Sequence, residues 1–175
     1  MAHDIDIYRN DAAYVALVAG LVADGLRKDE ACVAIATKRH REALERRLRG
    51  VGVLARPGAA PLPAIYVAAD AAATLAQFMV DGMPDRGRFE KVVGDILRRA
   101  RGRRRRPVRA FGEMVALLAA SEGAEATLAL ERRWNLLLAR HSSESLVCSY
   151  PARAFSGQRV ALLEAVCRQH HAVYA

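Results

Sequence analysis

The segment Ala31–Ala36, with the sequence Ala-Cys-Val-Ala-Ile-Ala, is a continuous run of small and β-branched apolar residues. A strand of a parallel sheet has this composition when helices cover both of its faces. Similar short apolar runs occur at Ala64–Ala68, Val108–Phe111 and Ser145–Ser149. The segment His3–Tyr8 alternates isoleucines with acids and indicates a further strand. The sequence therefore predicts five strands.

The segments between these strands have the spacing of amphipathic helices. The clearest is the helix that begins after Asp85, in which apolar residues recur from Phe89 to Ala100 at intervals of three and four. We predict helices over Asp11–Leu26, from the N-cap Thr37 to Gly50, from Asp70 through Met79 to a break at Gly82–Pro84, from Asp85 to Ala100, within Met114–Arg140, and over about Gln158–His170. Strands that alternate with helices predict an α/β fold with a doubly wound, mainly parallel five-stranded sheet and helices on both faces, in one domain over residues 1–175.

The 175 residues carry a formal net charge of +8. The segment Arg98–Arg109 contains eight arginines and no acid, so the rest of the chain is neutral. Arg103, Arg104, Arg105 and Arg106 are candidates for docking an anion or a partner protein. The alternative is a solvated helix end, where arginines favour the negative end of the helix dipole.

The chain has three widely spaced cysteines, no basic and hydrophobic leader, and no apolar run of membrane-spanning length. These features favour a reducing compartment, and we expect a cytoplasmic protein that does not contact a membrane.

No catalytic motif is present in the sequence. The turn after the first strand, Arg9–Ala13, lacks the glycines and the Lys-Ser/Thr pair of a phosphate-binding loop. No serine lies in a G-x-S-x-G elbow, and Cys148 lies in an apolar strand, which favours a packed thiol over a nucleophile. The histidines show no HxxxH spacing. We therefore expect no enzymatic activity, no metal site and no cofactor.

In a doubly wound fold, ligands bind beyond the carboxyl ends of the strands. The polar and aromatic groups at these ends could converge on a pocket. For Thr37 and Asp70 the alternative is that they only cap helices, and for His40 it is a surface position in the first turn of a helix. Glu113 follows a buried strand, which favours either a ligand contact or a buried ion pair with a residue such as Arg109. The polar and aromatic residues at the predicted strand ends are Tyr8, Thr37, His40, Asp70, Glu113 and Tyr150.

An ordered series of phrases resembles the MEDS family, the methanogen/methylotroph DcmR-type sensory domain. The phrases are the opening His3-Asp4 with Tyr8 and Asp11, then DGLRKDEACVAIATKRHREAL, FMVDGMPDRGRFEKVV, RAFGEMVALL, LERRWNLL, LVCSYP and VCRQHHAVY. The resemblance covers about residues 3–174. The chain departs from the family pattern at Ala69, where leucine is common, and in the heavier arginine run at Arg103–Arg106.

The resemblance implies a RecA/KaiC-like α/β fold without the ATPase loop and a role in sensing small molecules, proposed to be hydrocarbon derivatives. It places the pocket residues at Tyr8, His40, Glu113 and Tyr150. With no output domain in the sequence, it implies a stand-alone sensor that signals through a histidine kinase or a transcription regulator.

The sequence is also compatible with two other functions. One is a nucleic-acid-binding module that uses Arg98–Arg109, and the other is a degenerate nucleotide-binding protein. The Phe89–Ala100 helix could support a homodimer, although core packing explains the same apolar stripe.

Overall fold

A computed structural model describes residues 2–54, 65–121, 123–140, 143–155 and 160–174. The strands are β1 (Ala2–Tyr8), β2 (Ala31–Ala36), β3 (Tyr66–Asp70), β4 (Met79–Val80), β5 (Met83–Pro84), β6 (Val108–Gly112), β7 (Glu144–Pro151) and β8 (Val173–Tyr174). The helices are α1 (Asp11–Arg27), α2 (Lys38–Gly50), α3 (Ala71–Ala76), α4 (Arg86–Arg101), α5 (Met114–Ser121), α6 (Ala124–Ala139) and α7 (Val160–Cys167). A 3₁₀ turn covers Ala152–Phe155.

Six strands form one sheet in the order β3-β2-β6-β7-β1-β8, and each adjacent pair is parallel. The predicted α/β fold with a mainly parallel sheet is confirmed. The sixth strand, β8, was not predicted because two residues are too short to show an apolar period. The strands β4 and β5 form a separate antiparallel pair.

Four helices begin at side-chain caps that the sequence supplies directly after a strand or turn. The side chains of Asn10, Thr37, Asp70 and Asp85 each accept a hydrogen bond from the backbone N–H three residues later. Such a cap satisfies one of the free N–H groups in the first helical turn. The caps predicted at Thr37 and Asp70 are therefore confirmed, and both fix a helix start at the carboxyl edge of the sheet.

Several predicted element boundaries differ from the structure. The helix after Asp70 ends at Ala76, and the predicted continuation through Met79 is wrong. Asp81 and Gly82 have φ angles of 48° and 75°, which make a tight turn between β4 and β5. The third strand begins at Tyr66 and runs to Asp70, later than predicted. Gln158, the predicted start of the last helix, lies outside the described residues.

Successive side chains of each strand point to opposite faces of the sheet, so the core is divided into two layers. One layer includes Ile5, Leu146 and Trp134 and packs beneath α4, α5, α6 and α7. The other includes Tyr14 and Phe111 and packs beneath α1 and α2. Helices thus cover both faces of the sheet. Within the described residues, no helix has the length and apolar character required to cross a membrane.

Candidate functional site

A cleft of about 510 Å³ opens at the carboxyl edge of the sheet. Tyr8 ends β1, Thr37 follows β2, Glu113 follows β6 and Pro151 ends β7, so four neighbouring strands contribute to it. The lining residues are Tyr8, Asp11, Thr37, Arg39, His40, Glu113, Ala116, Leu117, Ala120, Pro151, Arg153 and Ala154. Parallel strands bring their carboxyl ends together at one edge, which explains this convergence of distant residues.

Glu113 is the central polar residue of the cleft, and it is only 2% exposed. Its backbone N–H donates to the carbonyl of Ile35, which continues the β2–β6 pairing by one residue. The Oε2 atom accepts from the Thr37 backbone N–H at 2.9 Å and from the Thr37 hydroxyl at 3.4 Å. The Oε1 atom lies 3.5 Å from the Tyr8 hydroxyl, which donates to it. The carboxylate is therefore held by two strand ends besides its own.

His40, in the first turn of α2, forms an ion pair with the same carboxylate. Its Nδ1 donates to Glu113 Oε1 at 2.5 Å, and its Nε2 lies 3.3 Å from Asp11 Oδ1. The Tyr14 ring stacks on the imidazole at a centroid distance of 4.2 Å. Burial lowers the pKa of His40, but the Glu113 and Asp11 carboxylates outweigh it and raise the pKa above its ordinary value.

The cleft is lined by both polar and apolar side chains. The polar side chains include Tyr8, His40 and Glu113, and Asp11 also pairs with Arg39 at 2.7 Å. The rest of the lining consists of Thr37, the cation Arg153 and the small and apolar residues Ala116, Leu117, Ala120, Pro151 and Ala154. Such a cleft can contact an apolar molecule while hydrogen-bonding to one polar group.

A family model described as "MEDS: MEthanogen/methylotroph, DcmR Sensory domain" matches residues 2–171, nearly the whole chain. The chain belongs to the MEDS family. The resemblance seen in the sequence is therefore confirmed, and MEDS is a family of sensory domains. No curated protein and no solved structure is significantly similar to this chain.

Three of the four residues that were predicted to bind a ligand in this MEDS domain come together. Tyr8, His40 and Glu113 line the cleft, but Tyr150 does not. The β7 strand continues to Pro151, so Tyr150 lies within the strand. Its side chain packs in the core layer beneath α4, α5, α6 and α7. Its hydroxyl donates to Glu131 Oε1 at 2.6 Å in the core.

The ion pair considered between Glu113 and Arg109 is absent. These residues lie at opposite ends of β6 in the MEDS domain. Arg109 instead pairs with Glu30 at 2.7 Å and with Asp24 at 3.3 Å. The partner of Glu113 is His40, which the sequence placed one turn beyond the β2 end without specifying a contact.

The arginine run of the MEDS domain separates into paired and exposed residues. Arg106 pairs with Asp29 at 2.9 Å, and its side chain is 17% exposed. Arg103, Arg104 and Arg105 are exposed in the turn after α4, and no acidic partner for them occurs among the described residues. Of the four candidate docking arginines, Arg106 is therefore paired within the fold, and Arg103, Arg104 and Arg105 are exposed.

Asp11 was not predicted to line the site. Asp11 lies in the first turn of α1, where an acid is stabilised by the positive end of the helix dipole. Because that effect explains the acid at this position, the sequence gives no sign of a second role. The structure shows that the same carboxylate reaches His40 on α2. The start of α1 is thereby connected to the start of α2.

Proposed function

We propose that this MEDS domain binds a small molecule in the cleft at the strand ends and relays its presence to a signalling protein, without catalysing a reaction. The observation that carries the proposal is the buried Glu113 carboxylate, paired with His40 at the wall of an open cleft. A buried charged pair beside an accessible cavity can exchange one of its hydrogen bonds with a ligand. Membership in a family of sensory domains supports the same role.

The lining of the cleft indicates the ligand's chemistry. Glu113 Oε1 and the Tyr8 hydroxyl offer an acceptor and a donor 3.5 Å apart. The small residues Ala116 and Ala120 in the same lining leave space for an apolar group. A short hydrocarbon derivative with one hydroxyl or amino group fits this arrangement.

The same groups favour binding over catalysis. Glu113 and His40 are hydrogen-bonded to each other, and Thr37 is the only serine, threonine or cysteine among the described residues that line the cleft. The Thr37 hydroxyl caps α2 and also faces the Glu113 carboxylate. A nucleophilic hydroxyl needs a base that takes its proton and an oxygen lone pair that is free to attack, and the Thr37 oxygen accepts from the His40 N–H in the α2 cap.

A route for the signal begins at Thr37. Its N–H and hydroxyl both donate to Glu113, and its side chain also caps α2. A ligand that bonds to Glu113 therefore competes with the contacts that fix the start of α2. The outer face of α2 is exposed and carries Arg46 and Arg47. We propose that the partner, a histidine kinase or a transcription regulator, binds this face. The signal requires that the ligand bind with different affinity to the states with and without the Thr37–Glu113 contacts.

Native mass spectrometry of the purified protein, compared with its denatured mass, tests ligand binding. We expect a small mass excess that disappears on unfolding and is weakened in Glu113→Gln. Glu125→Gln, an exposed residue of α6, is the matched control and should retain the excess.

Thermal-shift assays with short alcohols, amines and haloalkanes provide a second measurement. A stabilising compound should act on the wild type and on Glu125→Gln, and act weakly on Glu113→Gln. A bare mass together with no stabilisation by any compound would count against the proposed site.

A second candidate function rests on the exposed residues Arg103, Arg104 and Arg105. Three adjacent guanidinium groups can neutralise phosphates of a nucleic acid. The structure weakens this candidate relative to the sequence, since other arginines of the segment, Arg106 and Arg109, already pair with acids.

Fluorescence anisotropy with labelled DNA and RNA at several salt concentrations tests this candidate. Binding should weaken with salt, and the double variant Arg104→Gln/Arg105→Gln should reduce the logarithmic salt slope by about 2, which is about one for each lost phosphate contact. Arg46→Gln/Arg47→Gln removes the same charge from α2 and should leave the slope unchanged. Equal slopes in both double variants would exclude the arginine turn as the binding surface.

A further inference from the structure

Four potential metal ligands meet in the core on the face of the sheet that α4, α5, α6 and α7 cover. They are His3 on β1, Glu131 on α6, Cys148 on β7 and His170 in the segment after α7, and one donor atom from each lies within 4.8 Å of all the others. The side chains of His3, Glu131 and His170 are at most 1% exposed, and Cys148 is fully buried. Each ligand comes from a different element of the chain.

Four of the six distances between the donor atoms of this cluster are close to those of a tetrahedral metal site, and the other two are at most 4.8 Å. His3 Nε2 lies 3.2 Å from Glu131 Oε2 and 3.3 Å from Cys148 Sγ. Glu131 Oε2 lies 3.3 Å from Cys148 Sγ and 3.4 Å from His170 Nε2. Tetrahedral zinc, with bonds of about 2.0–2.3 Å, separates its ligands by roughly 3.3–3.6 Å.

Hydrogen bonds outside the cluster set the orientation of both imidazoles. His170 Nδ1 lies 2.7 Å from the Val166 carbonyl, which accepts only from an N–H, so Nδ1 carries a proton. The Asn135 amide nitrogen donates to Gln169, which leaves Asn135 Oδ1 as the acceptor for His3 Nδ1 at 2.8 Å. In the neutral form of each ring, the Nε2 lone pair therefore points into the cluster. Histidines that bind metals are held in this way.

The cluster has an excess of lone pairs. In the neutral forms, two imidazole nitrogens and a carboxylate oxygen face one another, and the Cys148 S–H supplies the only proton between them. His170 Nε2 is buried and has no hydrogen-bond partner among the described residues, although Glu131 is close. A cation at the centre would satisfy all four donors.

Charge balance indicates a divalent ion. A thiolate and a carboxylate supply two negative charges, and two neutral imidazoles supply none, so a divalent cation gives a neutral buried unit. A neutral unit avoids the large cost of an uncompensated buried charge. The second Glu131 oxygen accepts from Tyr150, which leaves one carboxylate oxygen for the ion and a closed set of four ligands. Closed sets of nitrogen, sulfur and oxygen ligands are typical of structural zinc.

We propose that His3, Glu131, Cys148 and His170 form a binding site for a divalent transition metal ion, with Zn²⁺ as the best-fitting ion. The ion connects β1, α6, β7 and the segment after α7, and so fastens the two ends of the chain to the core. This site is separate from the cleft and does not depend on the proposed ligand. The expectation of no metal site rested on spacing along the sequence, and the inference departs from it.

The test uses tag-free protein purified without chelators. Elemental analysis should find about one zinc ion per chain. After removal of the metal, added Co²⁺ should produce the near-ultraviolet charge-transfer band of a cobalt–thiolate bond, and added Zn²⁺ should raise the melting temperature. Cys148→Ser should abolish the cobalt band, and His170→Gln should weaken metal affinity by at least about tenfold. Cys167→Ser, which changes a partly buried cysteine outside the cluster, should bind metal as the wild type does.

Two results would overturn the proposal. The first is a wild type that contains almost no metal, gives no cobalt–thiolate band and shows no change in melting temperature with Zn²⁺. The second is equal metal binding by the wild type, Cys148→Ser and His170→Gln, which would place the ion elsewhere. If Cys148→Ser does not fold, the wild-type cobalt spectrum and the metal titration of His170→Gln still show whether the ion binds at this cluster.

Discussion

His40 Nδ1 lies 2.5 Å from Glu113 Oε1, although 73 residues separate them in the sequence. The contact exists because β2 and β6 are adjacent and parallel, so the residues that follow their carboxyl ends meet. Thr37 and Tyr8 complete the polar contacts of the same carboxylate. The stability of the fold and the binding of a ligand are therefore both expected to depend on the Glu113 carboxylate.

Glu113→Gln should lower the free energy of unfolding by about 1.5–3 kcal/mol, the usual value of a hydrogen bond to a buried charged group. The amide nitrogen of glutamine cannot accept a hydrogen bond, so contacts to Thr37 or to His40 are lost. Urea unfolding at neutral pH measures the effect. Glu125→Gln, an exposed control, should stay within about 0.5 kcal/mol of the wild type. Equal stability of the two variants would contradict the ion pair.

The location of this site could be predicted from the sequence because it follows from the fold. Apolar runs identify buried strands, and parallel strands collect the residues that follow them at one edge. Tyr8, His40 and Glu113 were expected at this edge for that reason and do line the cleft, while their binding of a ligand stays a prediction. Tyr150 was misplaced because the strand was predicted to end at Ser149, and two further residues of strand place its side chain in the core.

The metal-ligand cluster could not be predicted in the same way. His3 and Cys148 are 145 residues apart, and their contact depends on the pairing of β1 with β7. Glu131 lies on a helix whose apolar residues give no indication of a buried carboxylate. Only the packing of α6 against the sheet brings these groups together.

His40 should make stability depend on pH in a defined direction. Its folded-state pKa is raised above 6.5, so its contribution is complete below about pH 6.5 and is lost as pH rises through the folded-state value. Asp11→Asn removes one of the two carboxylates beside it and should lower this pKa. NMR titration of the His40 ring, with urea unfolding at matched pH values, measures both quantities.

The comparison with Asp11→Asn is required because Asp6 titrates over a nearby pH range, since burial raises its pKa to about 6. The difference between wild type and Asp11→Asn isolates His40. Glu125→Gln, an exposed acid on α6, is the control and should leave the His40 titration unchanged. An unchanged His40 pKa in Asp11→Asn would rule out the contact at Nε2.

Asp6 should destabilise the fold at neutral pH. It is 3% exposed, and its Oδ2 atom has no hydrogen-bond partner among the described residues. Burial raises the pKa of Asp6 from 3.8 to about 6, with a further contribution from the Glu113 charge and an opposing one from Ser149. Because the folded-state pKa is raised, stability is lost as pH rises from about 4 to about 6.

Asp6→Asn removes this loss and should raise the free energy of unfolding at neutral pH by about 1–3 kcal/mol, with little effect below about pH 4. Urea unfolding across this pH range measures the gain. Glu125→Gln again serves as an exposed control without such a trend. A variant that is less stable than wild type at neutral pH would show that the Asp6 carboxylate is stabilised by its surroundings.

Gly25 and Gly20, both on α1, should respond in opposite directions to alanine. A Cβ atom at Gly25 would lie 2.8 Å from Cys32 Sγ and 3.1 Å from Glu30 Oε2, because α1 approaches the start of β2 closely there. Gly20 is exposed, and a Cβ atom would meet nothing within 4 Å. Gly20→Ala should stabilise by about 0.5–1 kcal/mol through helix propensity, whereas Gly25→Ala should destabilise by about 1–3 kcal/mol through overpacking.

Cys32→Ala separates the steric effect from the backbone effect at Gly25. It removes the sulfur atom that an alanine at position 25 would meet first, so Gly25→Ala should cost less in the Cys32→Ala background than in the wild type. Urea unfolding of the four proteins in this double-mutant cycle gives the coupling energy. Additive effects would mean that the helix moves away from β2 without contacting the thiol, and that Glu30 or the backbone accounts for the cost. A smaller cost of Gly25→Ala in the Cys32→Ala background would show that the close approach of α1 to β2 requires a glycine opposite Cys32.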